Sequence, residues 1–232
     1  MMTTLATKDY DHQIDILRTS SSEFINYCYL ITDPVSRESV IIDPAWELDT
    51  IVNRIGELGV RLRAVLLTHS HYDHVHLADP LVKMYGCNVY MSKIEIDYYQ
   101  FNCDNLHGLH HLDRIVIGEM EITCLHTPGH SAGGMCFYLP SSLFTGDTIF
   151  TEGCGTCHFK GGSAEQMFES IELIKTALPD STRIYPGHSY GHSPGYTISE
   201  LMKKNIYFQL DQKDKFISFR MRGNQKRLFD FR

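Results

Sequence analysis

The stretch Thr68-His69-Ser70-His71-Tyr72-Asp73-His74 decides how this chain is interpreted, because it places four metal-binding side chains within six residues. Catalytic zinc sites take nitrogen and oxygen ligands, usually three from the protein and one from water. His69 and His71 alternate along the chain, so an extended loop aims both imidazoles at one ion. Asp73 and His74 are adjacent and point elsewhere, which suits a second ion. The stretch therefore predicts the first half of a site for two metal ions.

Apolar segments precede this stretch and three other candidate ligands. Residues 64–67 predict a buried strand that delivers the histidine stretch at its end. Three further motifs also follow apolar runs, namely Thr127-Pro128-Gly129-His130-Ser131, Gly146-Asp147 and Tyr185-Pro186-Gly187-His188. Each contains a glycine, which lets the backbone turn sharply after the strand. These motifs supply His130, Asp147 and His188 as candidates for the remaining ligands.

Two similar series of strands and helices run along the chain, and each ends in a ligand-bearing loop. The predicted strands are residues 24–32, 39–43, 64–67, 88–91, 114–117, 121–126, 134–139, 143–145 and 183–185, and the predicted helices are residues 47–58, 79–85, 93–101, 163–178 and 197–205. Such a series satisfies a four-layer α/β/β/α sandwich, in which two mixed β-sheets pack face to face with helices on the outer faces. The 232 residues, 43% of them hydrophobic, predict one domain over residues 1–232.

Charge, apolar segments and cysteine content narrow the class of protein. The formal charge of −7 and the sequence pI near 6.0 give no reason to expect a nucleic acid or an anionic membrane surface as a partner. The first ten residues lack the pattern of a signal peptide, and no apolar run is long enough to cross a membrane. Seven cysteines, an odd number, indicate reduced thiols. The expected location is the cytoplasm.

The motifs, taken in order, resemble those of the metallo-β-lactamase-fold hydrolases over residues 24–205, and most of all those of the glyoxalase II branch. The resemblance implies two zinc ions, although iron and manganese accept the same ligands. It assigns one metal to His69, His71 and His130, the other to Asp73, His74 and His188, and the bridge to Asp147. A hydroxide shared by the metals would attack a carbonyl, and Asp73 would orient it and handle its proton.

Departures from the glyoxalase II pattern point to a narrower group. Where that branch has a basic residue for a glutathione carboxylate, this chain has Thr156. Residues 75–80 also replace the usual Gly-Gly after the metal loop. With residues 95–101, 151–155 and 205–209, these departures resemble the zinc-dependent hydrolases of trans-acyltransferase polyketide clusters. That resemblance implies hydrolysis of thioesters on the phosphopantetheine arm of acyl carrier proteins.

Residues near the end of the chain are candidates for contact with such a substrate. Tyr190 and Tyr207 are expected to bound a channel for the thin arm, with core packing as the alternative for Tyr207. The basic and aromatic tail at about residues 216–232 is a candidate surface for an acidic carrier protein, or else a solvated tail. Its cations are Arg220, Arg222, Lys226, Arg227 and Arg232.

Several histidines and cysteines have weaker assignments. The pair Cys154 and Cys157 has the spacing of a redox or zinc site but lacks the context of either, so a loop over the site is expected there. His76 is a candidate for contact with a ligand or for the surface. His107, His110 and His111 are interpreted as loop residues that could line the substrate entrance.

Three other functions remain open at this point. A hydrolase of glutathione thioesters would use the same chemistry on a substrate whose thiol is glutathione instead of phosphopantetheine. A persulfide dioxygenase would use one iron bound by two histidines and an aspartate to activate oxygen. A non-catalytic binding module on the same fold is the third, and it is disfavoured because every metal-ligand position is kept.

Overall fold

The first of two sheets comes from the N-terminal half of the chain, in a computed structural model that describes residues 12–22, 24–223 and 225. Its strands, in spatial as in chain order, are β1 Gln13–Ser21, β2 Phe24–Thr32, β3 Glu38–Ile42, β4 Arg61–Leu66, β5 Asn88–Ser92 and β6 Leu106–Leu109. Neighbours from β1 to β3 are antiparallel and those from β3 to β6 are parallel. The sheet is therefore mixed, as predicted.

The second sheet comes from the other half of the chain. Its strands, in spatial order, are β12 Tyr196–Thr197, β11 Arg183–Pro186, β10 Ser142–Gly146, β9 Met135–Leu139, β8 Met120–His126 and β7 Arg114–Ile117. The pair β10 and β11 is parallel and the other pairs are antiparallel. Aromatic and aliphatic side chains of both sheets, among them Tyr29, Phe137 and Phe144, form a buried cluster between them.

Helices cover the outer face of each sheet. They are α1 Leu48–Leu58, α2 Tyr72–Val75, α3 Ala78–Tyr85, α4 Lys93–Tyr99, α5 Ala164–Ala177, α6 Ile198–Lys204, α7 Ile206–Gln209 and α8 Lys213–Arg220. Ile51 and Leu81 of α1 and α3 pack in a second cluster with strands of the first sheet, and Ile171 and Phe216 of α5 and α8 pack in a third with strands of the second. The predicted α/β/β/α sandwich is confirmed. Among the described residues, no helix is long and apolar enough to cross a membrane.

Three edge strands were not predicted, and one of them, β12, spans only Tyr196–Thr197. Strand β1 pairs with β2 along its whole length, from Gln13 opposite Thr32 to Ser21 opposite Phe24. Strand β6 pairs with β5, and it contains His107, which the sequence had placed in a loop. Strands β1 and β6 contain few buried apolar residues, because an edge strand is covered on fewer sides than a central one. Their sequences therefore lack the apolar pattern of a buried strand.

The interpretation of residues 216–232 as a basic tail is wrong at its beginning. Phe216 and Arg220 lie four residues apart in α8, therefore on one face of the helix, and both are buried. Arg222 is exposed. Lys226, Arg227 and Arg232 lie outside the described residues. Arg220 consequently cannot belong to a surface that meets a carrier protein.

Candidate metal centre

Parallel strand pairs in both sheets bring the ligand-bearing loops together. In the first sheet Ile42 of β3 lies opposite Leu66 of β4, so the residues that follow these strands are neighbours. In the second sheet Gly146 of β10 lies opposite Pro186 of β11 in the same way. Because parallel strands end at the same edge, side chains from distant parts of the chain converge there.

The first group of ligands consists of His69, His71 and His130, which offer nitrogens within 4.8 Å of one another. Nδ1 of His130 donates to the carbonyl oxygen of Thr156 at 2.8 Å, which leaves the lone pair on Nε2. That Nε2 lies 2.9 Å from Nδ1 of His71. Burial lowers the pKa of His69 well below its usual value, and burial together with His130 lowers that of His71 to about 4. Near neutral pH these imidazoles are in the uncharged form that binds metals.

The second group consists of Asp73, His74 and His188, whose ligand atoms also lie within 4.8 Å of one another. Asp73 and His74 belong to the short helix α2, so the histidine stretch is extended only as far as His71. Oδ2 of Asp73 lies 3.2 Å from Nε2 of His188 and 3.5 Å from Nε2 of His74. Although burial favours the neutral acid, the two histidines hold the pKa of Asp73 well below its usual range. The Asp73 carboxylate therefore stays ionised.

Asp147 lies between the two groups and presents one carboxylate oxygen to each. Oδ2 is 3.5 Å from Nε2 of His130, in the first group. Oδ1 is 3.4 Å from Nε2 of His74 and 3.6 Å from Nε2 of His188, in the second. This is the placement that a bridging ligand needs.

Buried atoms without hydrogen-bond partners show that this set fits metal ions. Among the ligand candidates, these atoms are Nε2 of His69, Nε2 of His74 and Oδ1 of Asp147. Buried polar atoms are otherwise almost always hydrogen-bonded, so their convergence on one place indicates a cation there. Imidazole and carboxylate ligands suit zinc, iron and manganese alike.

Asp43 orients two of the histidines, and the sequence reasoning missed it. Its Oδ2 lies 2.9 Å from Nδ1 of His74 and accepts a hydrogen bond from the Thr68 hydroxyl at 2.6 Å. Since that hydroxyl donates to Asp43, it accepts from Nδ1 of His69, 3.0 Å away. Both histidines therefore direct the lone pair of Nε2 towards the metal centre. Asp43 follows an apolar strand, as Asp147 does, and that signal could have identified it.

Asn26 and Glu95 support the centre in a similar way. The Asn26 amide donates to the backbone oxygen of Asp73 at 2.8 Å and to its Oδ2 at 3.2 Å. Glu95 is fully buried and accepts hydrogen bonds from the loops that carry His71 and His130. No local pattern marks either residue, because their partners lie 25 or more positions away in the chain.

The metal centre opens into a pocket of about 400 Å³. Its other lining residues are Phe24, Tyr72, Phe150, Cys154, Thr156, Phe159, Tyr190 and Arg220. Tyr190, predicted to contact substrate, is thus part of the lining, whereas Tyr207 lies in the apolar cluster beneath α6 and α8. Arg220 puts a cation into the pocket that the sequence reasoning did not place there. Thr156 contributes no charge.

The other candidate histidines lie away from the pocket. His76 packs on the rings of Trp46 and Tyr72 and is not among the residues that line the pocket. His107 stacks on Tyr90 in the edge strand, and neither it nor His110 nor His111 lines the pocket. These three histidines were predicted to be loop residues, with a place at the substrate entrance as the alternative. They do not line the pocket, and His107 lies in strand β6 rather than in a loop.

Gly187 allows close packing beside the ligands, which leads to a prediction. A Cβ at this position would lie 2.6 Å from Cε1 of His74 and 2.8 Å from Oδ1 of Asp147, closer than real Cβ contacts. We expect Gly187→Ala to weaken zinc binding about 10- to 100-fold, because the ligands must move. Chelator competition measures this affinity. Gly153→Ala is the control, since its Cβ would meet nothing nearer than Tyr207 at 3.8 Å. Equal zinc affinities in the two variants would contradict the prediction.

Comparisons with known proteins agree with the geometry. The model of the metallo-beta-lactamase superfamily matches residues 22–188. The chain is 53% identical to the "Probable polyketide biosynthesis zinc-dependent hydrolase PksB" of Bacillus subtilis, over 95% of this chain and 98% of that protein. It is 32% identical to the cytoplasmic hydroxyacylglutathione hydrolase of Saccharomyces cerevisiae, over 72% of this chain and 64% of that protein.

A solved structure shows the same architecture. The crystal structure of ETHE1 from Myxococcus xanthus superimposes with a TM-score of 0.83 at 30% identity, covering 93% of this chain and 92% of the other. The matched region 22–188 runs from the second strand to the last metal-ligand candidate and includes all seven ligand candidates. The chain therefore belongs to the metallo-beta-lactamase superfamily, as its histidine and aspartate motifs predicted.

Proposed function

We propose that this protein is a dinuclear zinc hydrolase that removes acyl groups from the phosphopantetheine arm of acyl carrier proteins in polyketide biosynthesis. The main support is the convergence of seven ligand candidates at one pocket, in a chain 53% identical to a protein named as a polyketide biosynthesis zinc-dependent hydrolase. A relative named as a hydroxyacylglutathione hydrolase supports thioesters as the substrate class.

When bound, two zinc ions would lower the pKa of a water molecule, polarise the thioester carbonyl and favour a thiolate leaving group. The residues of this chain position the reactants. Asp73 lines the pocket and stays ionised, so it accepts a hydrogen bond from the attacking water and orients it. Asn26 holds that carboxylate through its amide. Asp73 therefore has two roles: it binds a metal ion, and it positions the attacking water.

The reaction consumes one water and yields two products. The water oxygen forms a bond to the carbonyl carbon, and the carbon–sulfur bond breaks as the thiolate leaves with its electron pair. One proton of the water ends on the thiol of the arm, and the other leaves with the new carboxylic acid. The pocket holds the uncharged part of the substrate between aromatic rings, among them Phe150, 6.0 Å from the ring of His188.

The shape of the pocket suits a thioester attached to a large carrier. Phe24, Tyr72 and Phe159 lie at its rim, with 37%, 69% and 46% of their surface exposed. The inner residues Phe150 and Cys154 are buried. A thin arm can pass between the aromatic rim residues while the carrier itself stays outside.

One preparation tests the function. After its bound metals are measured, it is assayed with acetyl-carrier protein and with S-lactoylglutathione. We expect about two zinc ions per chain and turnover of the carrier thioester at least about tenfold faster in kcat/KM, since Thr156 provides no cation for a glutathione carboxylate.

The alternatives give other results. Faster cleavage of S-lactoylglutathione would indicate a glutathione thioester hydrolase. One iron per chain with oxygen uptake on a persulfide would indicate the dioxygenase. A metal-loaded protein inert towards every thioester would leave only a binding module.

A further inference from the structure

Arg220 is a buried arginine at the inner end of the pocket. It is the last residue of α8, only 3% of its surface is exposed, and it lines the pocket together with Cys154 and Tyr190. Its Nη1 donates to the Tyr207 hydroxyl at 2.9 Å, and its guanidinium lies 5.7 Å from the centre of the Tyr207 ring. Tyr207 therefore fixes the position of the guanidinium.

One edge of the guanidinium lacks an oxygen or nitrogen partner among the described residues. Nε and Nη2 of Arg220 are buried, and the thiol of Cys157 is the neighbouring group rather than an oxygen or nitrogen acceptor. These two nitrogens lie on the same side of the planar group, where their N–H bonds point in parallel. That edge is one of the two that can bind both oxygens of a carboxylate. This edge thus has the geometry of a carboxylate site.

The charge of Arg220 is also unbalanced within the part of the chain that the structure describes. No Asp or Glu among those residues forms an ion pair with it. The neighbouring groups are the thiols of Cys154 and Cys157, and burial raises the pKa of Cys157 to about 11 and that of Cys154 further. Both thiols are neutral near pH 7 and cannot supply the missing charge. A buried cation needs an anion, which a ligand can bring.

The phosphopantetheine arm and the acyl group of a carrier thioester contact different parts of the pocket. The arm is tethered to a protein and must leave past the exposed rim of Phe24, Tyr72 and Phe159. The acyl group ends inside, where Phe150, Cys154 and Arg220 are buried. The phosphate of the arm lies at its carrier end and stays near the mouth. The group that reaches Arg220 is therefore the free end of the acyl chain.

We propose that Arg220 binds a carboxylate at the free end of the acyl group, so that the preferred substrates are thioesters of short dicarboxylic acids. This inference rests on the proposed thioester hydrolase function and adds the substrate class. The pocket of about 400 Å³ leaves room for a short acyl chain beside the metal centre.

Matched substrates test it. The metal-loaded protein is assayed with malonyl- and succinyl-carrier protein and with their neutral counterparts of equal length, butyryl- and pentanoyl-carrier protein. In the wild type, at least one diacid is expected to exceed its neutral match about 10- to 100-fold in kcat/KM, the contribution of a charge-assisted pair of hydrogen bonds. Arg220→Met is expected to remove that preference, so that the ratio of kcat/KM for each diacid to kcat/KM for its neutral match falls to about one.

A binding measurement gives a readout apart from activity. Analogues with a methylene in place of the thioester sulfur cannot be hydrolysed, and calorimetry compares the succinyl and pentanoyl forms. Arg220→Met is expected to lower affinity for the succinyl form alone. Arg222→Met is the control, since it removes a nearby exposed cation and is expected to keep the preference.

The outcomes separate the two proposals. Equal turnover of diacid and neutral thioesters by the wild type would overturn the role of Arg220 and leave the hydrolase function intact, whether or not Arg220→Met folds. No turnover of any carrier thioester would contradict the hydrolase function instead. Wild-type preference for diacids in Arg220→Met, or its loss in Arg222→Met, would assign the preference to another residue.

Discussion

Asp147→Ala is expected to lower kcat/KM for a carrier thioester by about 10³-fold or more, the equivalent of roughly 4 kcal/mol of transition-state stabilisation. The Asp147 carboxylate faces both ligand groups, with Oδ2 towards His130 and Oδ1 towards His74 and His188. Without the Asp147 carboxylate, no anionic side chain bridges the two ligand groups, so two metal cations cannot be held close together. Mass spectrometry of bound metal and steady-state kinetics on one sample measure both effects.

The fold should survive this substitution. Asp147 follows strand β10 on a loop, and its side chain packs against other ligands rather than against the apolar clusters. His71→Ala is expected to behave similarly, because His71 is a half-buried residue of the first ligand group. Asp180→Ala, at an exposed position after α5, is the matched control and should leave both metal content and turnover unchanged. Wild-type turnover in Asp147→Ala would exclude it from the metal centre.

Glu95→Ala is expected to cost about 3–5 kcal/mol of unfolding free energy and to weaken zinc binding about 10- to 100-fold. The Glu95 carboxylate is fully buried in the first turn of α4. Oε1 accepts hydrogen bonds from the backbone N–H and the hydroxyl of Ser70, both at 2.8 Å. Oε2 accepts from the Ser131 hydroxyl at 3.0 Å and from the Gly133 N–H at 2.8 Å.

These four bonds tie the two loops that form the first ligand group. Ser70 stands between His69 and His71, and Ser131 follows His130. Truncation leaves buried donors without acceptors and frees the loops to separate. Urea unfolding and chelator competition measure the two effects. Glu95→Gln keeps the volume but turns an amide group towards donors, so an intermediate loss of stability is expected.

Glu165→Ala provides the comparison for Glu95. Glu165 occupies the same first turn in α5 but is exposed, so its removal is expected to change stability by no more than about 1 kcal/mol. If Glu95→Ala were as stable and bound zinc as tightly as Glu165→Ala, the role of Glu95 in holding the ligand loops would be disproved.

The layered fold and the family could be predicted because their signals are local. A strand that ends in Gly-His or Gly-Asp is recognisable without its neighbours, and three such endings follow the histidine stretch in order. The alternation of apolar runs with helical patterns then predicts two sheets between helices. The edge strands β1 and β6 escaped this reasoning because partial exposure removes the apolar pattern on which it depends.

The partners of the residues that support the site could not be predicted, because they are distant in the chain. Glu95 meets Ser131 36 positions away, and Asp43 meets His74 31 positions away. Their sequence surroundings resemble those of ordinary helix and strand ends. Only the register of parallel strands and the packing of α4 against the ligand loops bring these pairs together.

Arg220 shows the same division most clearly. Composition alone assigned it to a basic surface, since arginine and lysine recur towards the end of the chain. Because α8 packs with Phe216 and Arg220 buried on the same face, the Arg220 side chain lines the pocket instead. The sequence by itself determined the family, the layers and the candidate ligands, because each rests on neighbouring residues and strand periodicity. Tertiary structure alone decided which buried groups orient the ligands and which charge faces the substrate, because those contacts join segments that the chain order keeps apart.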